Sequence, residues 1–73
     1  MRMNTAKLRG KIVECGLRQE DVAKEIGIDA STMSRKLNSG GEMFTIGQMH
    51  KLADVLKLTC EEAADIFLQP NSQ

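Results

Sequence analysis

The sequence has no Trp, no Tyr, two Phe and a single Pro. With aromatic and β-branched strand formers so scarce, a sheet has little to be built from, and the composition points to helices. The only two cysteines, Cys15 and Cys60, lie far apart and in no metal-ligand spacing. They offer neither a disulfide framework nor a metal site. No apolar run approaches the length of a membrane span, so no membrane partner is expected. The beginning, "MRMNTAKLRGK", lacks the apolar core of a signal peptide, which makes the cytoplasm the expected location. Net charge is missing too: 10 basic residues balance 10 acidic ones. A neutral chain is at first sight a poor ligand for a polyanion.

What remains is a 73-residue chain, enough for one domain with a small core that relies on tight helix packing or on a partner chain. The charge is unevenly spread. Residues 1–40 carry eight basic and five acidic residues, and residues 41–73 carry two basic and five acidic ones, giving +3 against −3. The first part suits a polyanion and the second suits something else, although two short windows also differ by chance.

Helix punctuation divides the chain into five segments. A first helix over 5–15 has Asn4 or Thr5 as its cap, Leu8 and Ile12 on one face with Val13 and Cys15 flanking them, and Gly16 as its end. A second over 19–26 carries Glu20 and Asp21 at its positive N-terminus, an apolar stripe of Val22, Ala23 and Ile26, and Gly27 as its stop. A third over 30–38 follows Asp29 as N-cap. "SGGEMF" reads as a loop. The T-x-x-Q of Thr45 and Gln48 opens a fourth helix ending near Lys57, with Ile46, Met49, Leu52, Ala53 and Leu56 inward. The T-x-x-E of Thr59 and Glu62 opens a fifth through Phe67. Pro70 and the polar end are expected to fray, leaving an ordered core of about residues 5–68.

The third helix is odd. Only Met33 and Leu37, with Ala30 beside them, form an apolar stripe. Ser31, Arg35 and Asn38 point the other way at about 100° per residue, with Thr32 at the side. Short hydroxyl side chains let a helix lie close against a groove floor, and an Arg one turn on can fork onto a guanine. A solvated helix that happens to use Ser and Thr has the same pattern. The second and third helices are joined by only Gly27, Ile28 and Asp29, the spacing of a helix-turn-helix.

The stretch "LRQEDVAKEIGIDASTMSRKLNSG" resembles the lambda-repressor and Cro type of helix-turn-helix regulator, the xenobiotic-response-element family. The resemblance rests on Leu17, Gln19, Val22–Ala23, Gly27, Ile28, Met33, Ser34–Arg35 and Asn38, and extends over about residues 5–68 with Phe44 ahead of the fourth helix. The layout looks most like short phage-encoded regulators. It implies an all-α, compact five-helix lambda-repressor-like domain whose partner is double-stranded DNA at a palindromic operator. By the resemblance, Gln19 binds a phosphate and braces a side chain of the third helix. Ala30, Ser31 and Arg35 match base-contacting positions, and Thr32 matches one reaching phosphate or a marginal base edge. Asn38 matches a phosphate-binding amide, with Lys36 and Ser39 as further backbone contacts. Ala30 offers only a methyl contact to thymine, so specificity rests on Arg35. Two departures stand out. Some relatives carry an Arg and a Glu where this chain has Ile12 and Leu37, and the Gly expected after Asn38 is Ser39.

Other reactive residue types read as structural. His50 is a lone helical histidine, read as a surface residue. Cys15 reads as a small buried thiol, and Met33, Met43 and Met49 as core or loop packing. No carboxylate pair, glycine-rich phosphate loop or metal spacing points to an enzyme, and no cofactor is expected. The fifth helix has more apolar residues than one face can send into a small core. Phe67 or Leu68, together with Ala64, is therefore expected on a two-fold or heterologous interface. The leading expectation is a Cro-like repressor from a phage or prophage, acting by operator occupancy as a weak homodimer stabilised on DNA. The alternative is a modulator that binds a partner repressor through the acidic, apolar C-terminal half. An antitoxin is a third reading and requires a cognate toxin.

Overall fold

The first turn of a helix has backbone N–H groups with no carbonyl partner, and the side chain just before each helix decides where it starts. The computed structural model describes residues 3–40 and 44–68 and has five helices, four of which begin this way: α1 (Thr5–Glu14), α2 (Gln19–Ile26, the exception), α3 (Ala30–Asn38), α4 (Ile46–Val55) and α5 (Cys60–Phe67). No strand occurs among the described residues. The expected fraying at 69–73 and the packing role of Met43 lie outside them.

Asn4, rather than Thr5, caps α1, its Oδ1 accepting from the Lys7 N–H at 3.1 Å. Asp29 accepts from the Thr32 N–H at 2.8 Å ahead of α3. Thr45 and Gln48, and again Thr59 and Glu62, exchange reciprocal side-chain to backbone bonds of 3.0–3.1 Å. Before α2, Arg18 has no side-chain oxygen to offer, and the Asp21 carboxylate reaches back to its N–H at 3.0 Å.

The ends of α1 to α4 share one device, a left-handed residue that turns the chain. Gly16 (φ +74°) lets Leu17 N–H reach the Ile12 carbonyl at 3.0 Å. Gly27 (φ +84°) lets Ile28 N–H reach the Ala23 carbonyl at 2.9 Å. The third such end is Lys57, at φ +53°, with Leu58 N–H on the Ala53 carbonyl at 3.0 Å. The expected helix end near Lys57 is therefore corrected to Val55, because Lys57 adopts a glycine's conformation without being one. At the end of α3 the displaced glycine has a simple account. Ser39 stays close to helical, with φ −87° and ψ 10°, and Gly40 takes the left-handed turn at φ +80°.

One core joins all five helices. Leu8 and Ile12 of α1, Val22 of α2, Met33 and Leu37 of α3, Leu52 of α4 with Leu56 at its end, and Ile66 of α5 are almost completely buried. No polar or charged side chain is buried among the described residues. Ile12 and Leu37, where some relatives carry opposite charges, lie in this dry cluster, a replacement that avoids desolvating an ion pair. The residues before α1 tie the far ends of the bundle together: Met3 N–H donates to the Gly40 carbonyl at 3.0 Å and Asn4 N–H to the Ile66 carbonyl at 2.8 Å.

Four expected placements change. Phe67 is 8% exposed and belongs to the core, because the last turn of α5 buries both Ile66 and Phe67. Ile46, expected inward, is 72% exposed, because the first residue of α4 lines an open groove against α5 rather than the closed interior. Ala30, expected beside Met33 and Leu37, is exposed at the first residue of α3, while Val13 keeps its flanking place, one residue round the helix from Ile12. Cys15, expected buried, is exposed, its thiol 3.7 Å from the Leu56 carbonyl.

A lysine in the left-handed region is strained where glycine is not. Lys57→Gly is expected to raise unfolding free energy by about 0.5–1 kcal/mol, the strain relieved less the extra chain entropy of glycine. Urea denaturation of both proteins measures it, and a destabilised variant contradicts the strained-end account.

Candidate nucleic-acid interface

The connection between α2 and α3 is as short as three residues allow. Gly27 turns the chain, Ile28 packs half-buried against the core, and Asp29 caps the next helix. Met33 and Leu37 then anchor α3, with 0% and 2% exposure. Fully burying such a side chain contributes about 1.5–3 kcal/mol. Two anchors one turn apart hold a nine-residue helix while leaving the rest of its circumference outside.

The outside holds Ala30, Ser31, Ser34, Arg35 and Asn38, all exposed, with Thr32 and Lys36 half-buried at the edges. The Ser31 hydroxyl donates to the Asp29 carboxylate at 3.3 Å, leaving its lone pairs outward. The Arg35 guanidinium reaches the Thr32 hydroxyl over 3.5 Å, a long bond that leaves most of its donors open. Ser39 donates its hydroxyl to the Lys36 carbonyl at 2.9 Å and serves the helix end. Lys36 Nζ stands 5.6 Å from the centre of the Phe44 ring, a cation–π contact that holds the loop residue against α3. Gln19, the first residue of α2, is half-buried. Ala64 and Leu68, expected with Phe67 on an interface, are exposed on the α4–α5 side of the molecule.

The structure also redistributes the charge. Lys7 pairs with Asp65 at 2.9 Å, and Lys11 bridges Glu62 at 2.9 Å and Glu14 at 2.6 Å. Two of the acids from the negative half therefore neutralise two of the lysines from the positive half. Hydrogen bonds that the Lys11 ammonium donates to Glu14 and Glu62 push it well above its ordinary range. The Glu62 carboxyl is held low by the Thr59 backbone N–H and then by Lys11. Arg9, two residues from each lysine, points elsewhere and donates to Asn38 Oδ1 at 2.9 Å. Sequence reasoning missed Arg9, since nothing in the chain announces a contact 29 residues away.

A glycine-turned pair of short helices, whose second helix is anchored by two residues and shows small polar side chains and one arginine, defines a helix-turn-helix DNA-binding domain. The sequence pattern of the Cro/C1-type HTH DNA-binding domain family matches residues 7–67, and the chain belongs to that family. No curated protein and no solved structure matches it. The protein is thus a DNA-binding transcription regulator, and the fold is of the all-α lambda-repressor type.

The cap of α3 is a titratable switch on its stability. Hydrogen bonding by Thr32, through its side chain and its backbone N–H, holds the Asp29 carboxyl below its usual range, with Ser31 and the Arg35 charge adding. A depressed carboxyl contributes stability that is present above its unfolded pKa of about 3.9 and lost as pH falls through the folded value. Asp29→Asn keeps a capping oxygen without the charge. The wild type is expected to be the more stable of the two at pH 7, with the gap closing below about pH 4. Denaturation curves at both pH values test this, and a gap independent of pH contradicts it.

Proposed function

We propose that the protein is a sequence-specific operator-binding regulator of the Cro-like type from a phage or prophage, acting in the bacterial cytoplasm as a repressor by occupancy. The observation that carries the reading is the division of α3, with Met33 and Leu37 inward and Ala30, Ser31 and Arg35 outward. In the major groove, the Arg35 fork reads a guanine, the Ala30 methyl meets a thymine, and Ser31 and Thr32 reach a base edge or phosphate. Gln19, Lys36, Asn38 and Ser39 set the register against the backbone.

We infer that a second copy docks on the groove between α4 and α5. Ala53, Ala63 and Ala64 make its walls low, Phe67 and His50 line it, and among the described residues no Asp, Glu, Lys or Arg does. Among the described residues the large exposed apolar side chains are Val13, Ile46 and Leu68, and two of these three stand on this groove. The chain supplies both projection and recess, which suits a two-fold contact. Such a dimer spaces its α3 helices about 34 Å apart, one turn of a palindromic operator. The patch is small, so self-association is weak off DNA, with a dissociation constant on the order of micromolar or above. The apolar lining also favours a second reading, in which a partner repressor occupies the groove and operator binding is secondary.

A mobility shift with the DNA flanking the gene, with and without a neighbouring repressor, tests the main reading. Arg35→Ala is expected to cost about 1–3 kcal/mol at the operator and to relax one base preference, with thermal stability nearly unchanged. A variant that binds as wild type but melts much earlier makes Arg35 structural. Leu68→Glu is expected to abolish cooperative operator binding while preserving the fold, since the side chain is 64% exposed. Sedimentation with and without operator checks it. One monomer per full operator, unchanged in the variant, removes the homodimer and leaves the groove to another protein.

A further inference from the structure

Arg9 and Asn38 form a side-chain pair that spans α1 and α3. Lys7 and Lys11 are one helical turn apart and share the face of α1 that meets α5, where each has a carboxylate at 2.9 Å. Arg9 lies about 200° round the helix from Lys7 and faces the end of α3 instead. Its Nη2 donates to Asn38 Oδ1 at 2.9 Å, and both side chains are exposed. Among the described residues no carboxylate lies within ion-pairing distance of Arg9.

The chemistry of the pair follows from its donors. Guanidinium has five N–H groups and no acceptor, so it fixes the Asn38 amide with its oxygen inward. The amide NH2 is then left to face away from Arg9. What remains on offer is mostly donors, the other guanidinium N–H groups and the amide NH2, with a full positive charge beside them. Such a pair favours an anion over a cation. It stands at Asn38, the last residue of α3, the helix read above as the one that faces DNA.

We propose that Arg9 and Asn38 together bind one backbone phosphate of the duplex, with Arg9 both supplying charge and positioning the Asn38 amide. The proposal rests on the DNA-binding reading and adds a residue of α1 to it. A phosphate contact sets register and affinity without reading sequence, whereas Arg35 reads a base.

Binding of wild type, Arg9→Gln, Arg9→Lys and Asn38→Ala to operator and to an unrelated duplex is measured over a range of KCl concentrations. Arg9→Gln keeps an amide donor for Asn38 but loses the charge. It is expected to weaken binding to both duplexes by about tenfold, and to lower the slope of log affinity against log salt by about one per chain. The ratio of operator to unrelated affinity stays unchanged. Arg9→Lys keeps the slope and recovers part of the affinity. The double variant of Arg9→Gln with Asn38→Ala loses less than the sum of the single losses, because the two act on one phosphate. The Asn38 side-chain amide resonances shift on adding either duplex to wild type. The proposal is overturned if Arg9→Gln retains wild-type affinity and salt slope while Arg35→Ala still loses the operator. It is also overturned if Arg9→Gln lowers operator preference, which makes Arg9 a base reader. A wild type that binds neither duplex sinks the DNA-binding reading along with it.

Discussion

Everything about this molecule's working face depends on how little of α3 the core requires. Met33 and Leu37 are the only side chains α3 gives to the core, and the Gly27 turn delivers the helix at a fixed offset from α2. A wider apolar stripe would hold α3 more firmly but would take positions such as Ser31 or Ser34 out of solvent. The thin stripe is affordable only because the rest of the core is dry and closely shared among all five helices. The stability of the face therefore resides mostly in residues that never touch a ligand.

The electrostatics show the same division. A neutral chain is a weak ligand for a polyanion unless its charges are sorted. α1 does the sorting by periodicity. The lysines one turn apart, Lys7 and Lys11, are matched with Asp65 and Glu62 of α5, while Arg9 between them is turned toward α3. The acidic half is thus not a separate negative module. Part of it holds the bundle together, and exposed pairs of this kind add modestly to stability. It pairs two lysines of α1 with α5 and leaves Arg9 turned toward the end of α3.

Much of the fold was legible because it is written in local chemistry. Asp29, Thr45 and Thr59 cap the helices they precede, and Gly16 and Gly27 end the helices they follow, so the bounds of α2 and α3 could be read directly. The α3 outward set was legible for the same reason, since a helix of known start has a known face. Lys57 was not, because a left-handed lysine looks like any helical lysine until the next segment pulls it round. Ile46 was read as inward and stands outward, and of the two alternatives Phe67 and Leu68 the core took Phe67 and left Leu68 outside. Periodicity states which residues share a stripe but not where along its length the neighbouring helix stops.

The sequence by itself determined five helices, their caps, a glycine turn of three residues, and a polar face on the third helix. These follow from hydrogen bonds and dihedral preferences that reach no further than one turn. Tertiary structure alone decided that Arg9 meets Asn38 and that Lys7 meets Asp65, pairs separated by 29 and 58 residues. It also decided that an open apolar groove lies between α4 and α5. The physical reason is that a long side chain finds its partner only after helices have packed, and packing is settled by the whole core at once.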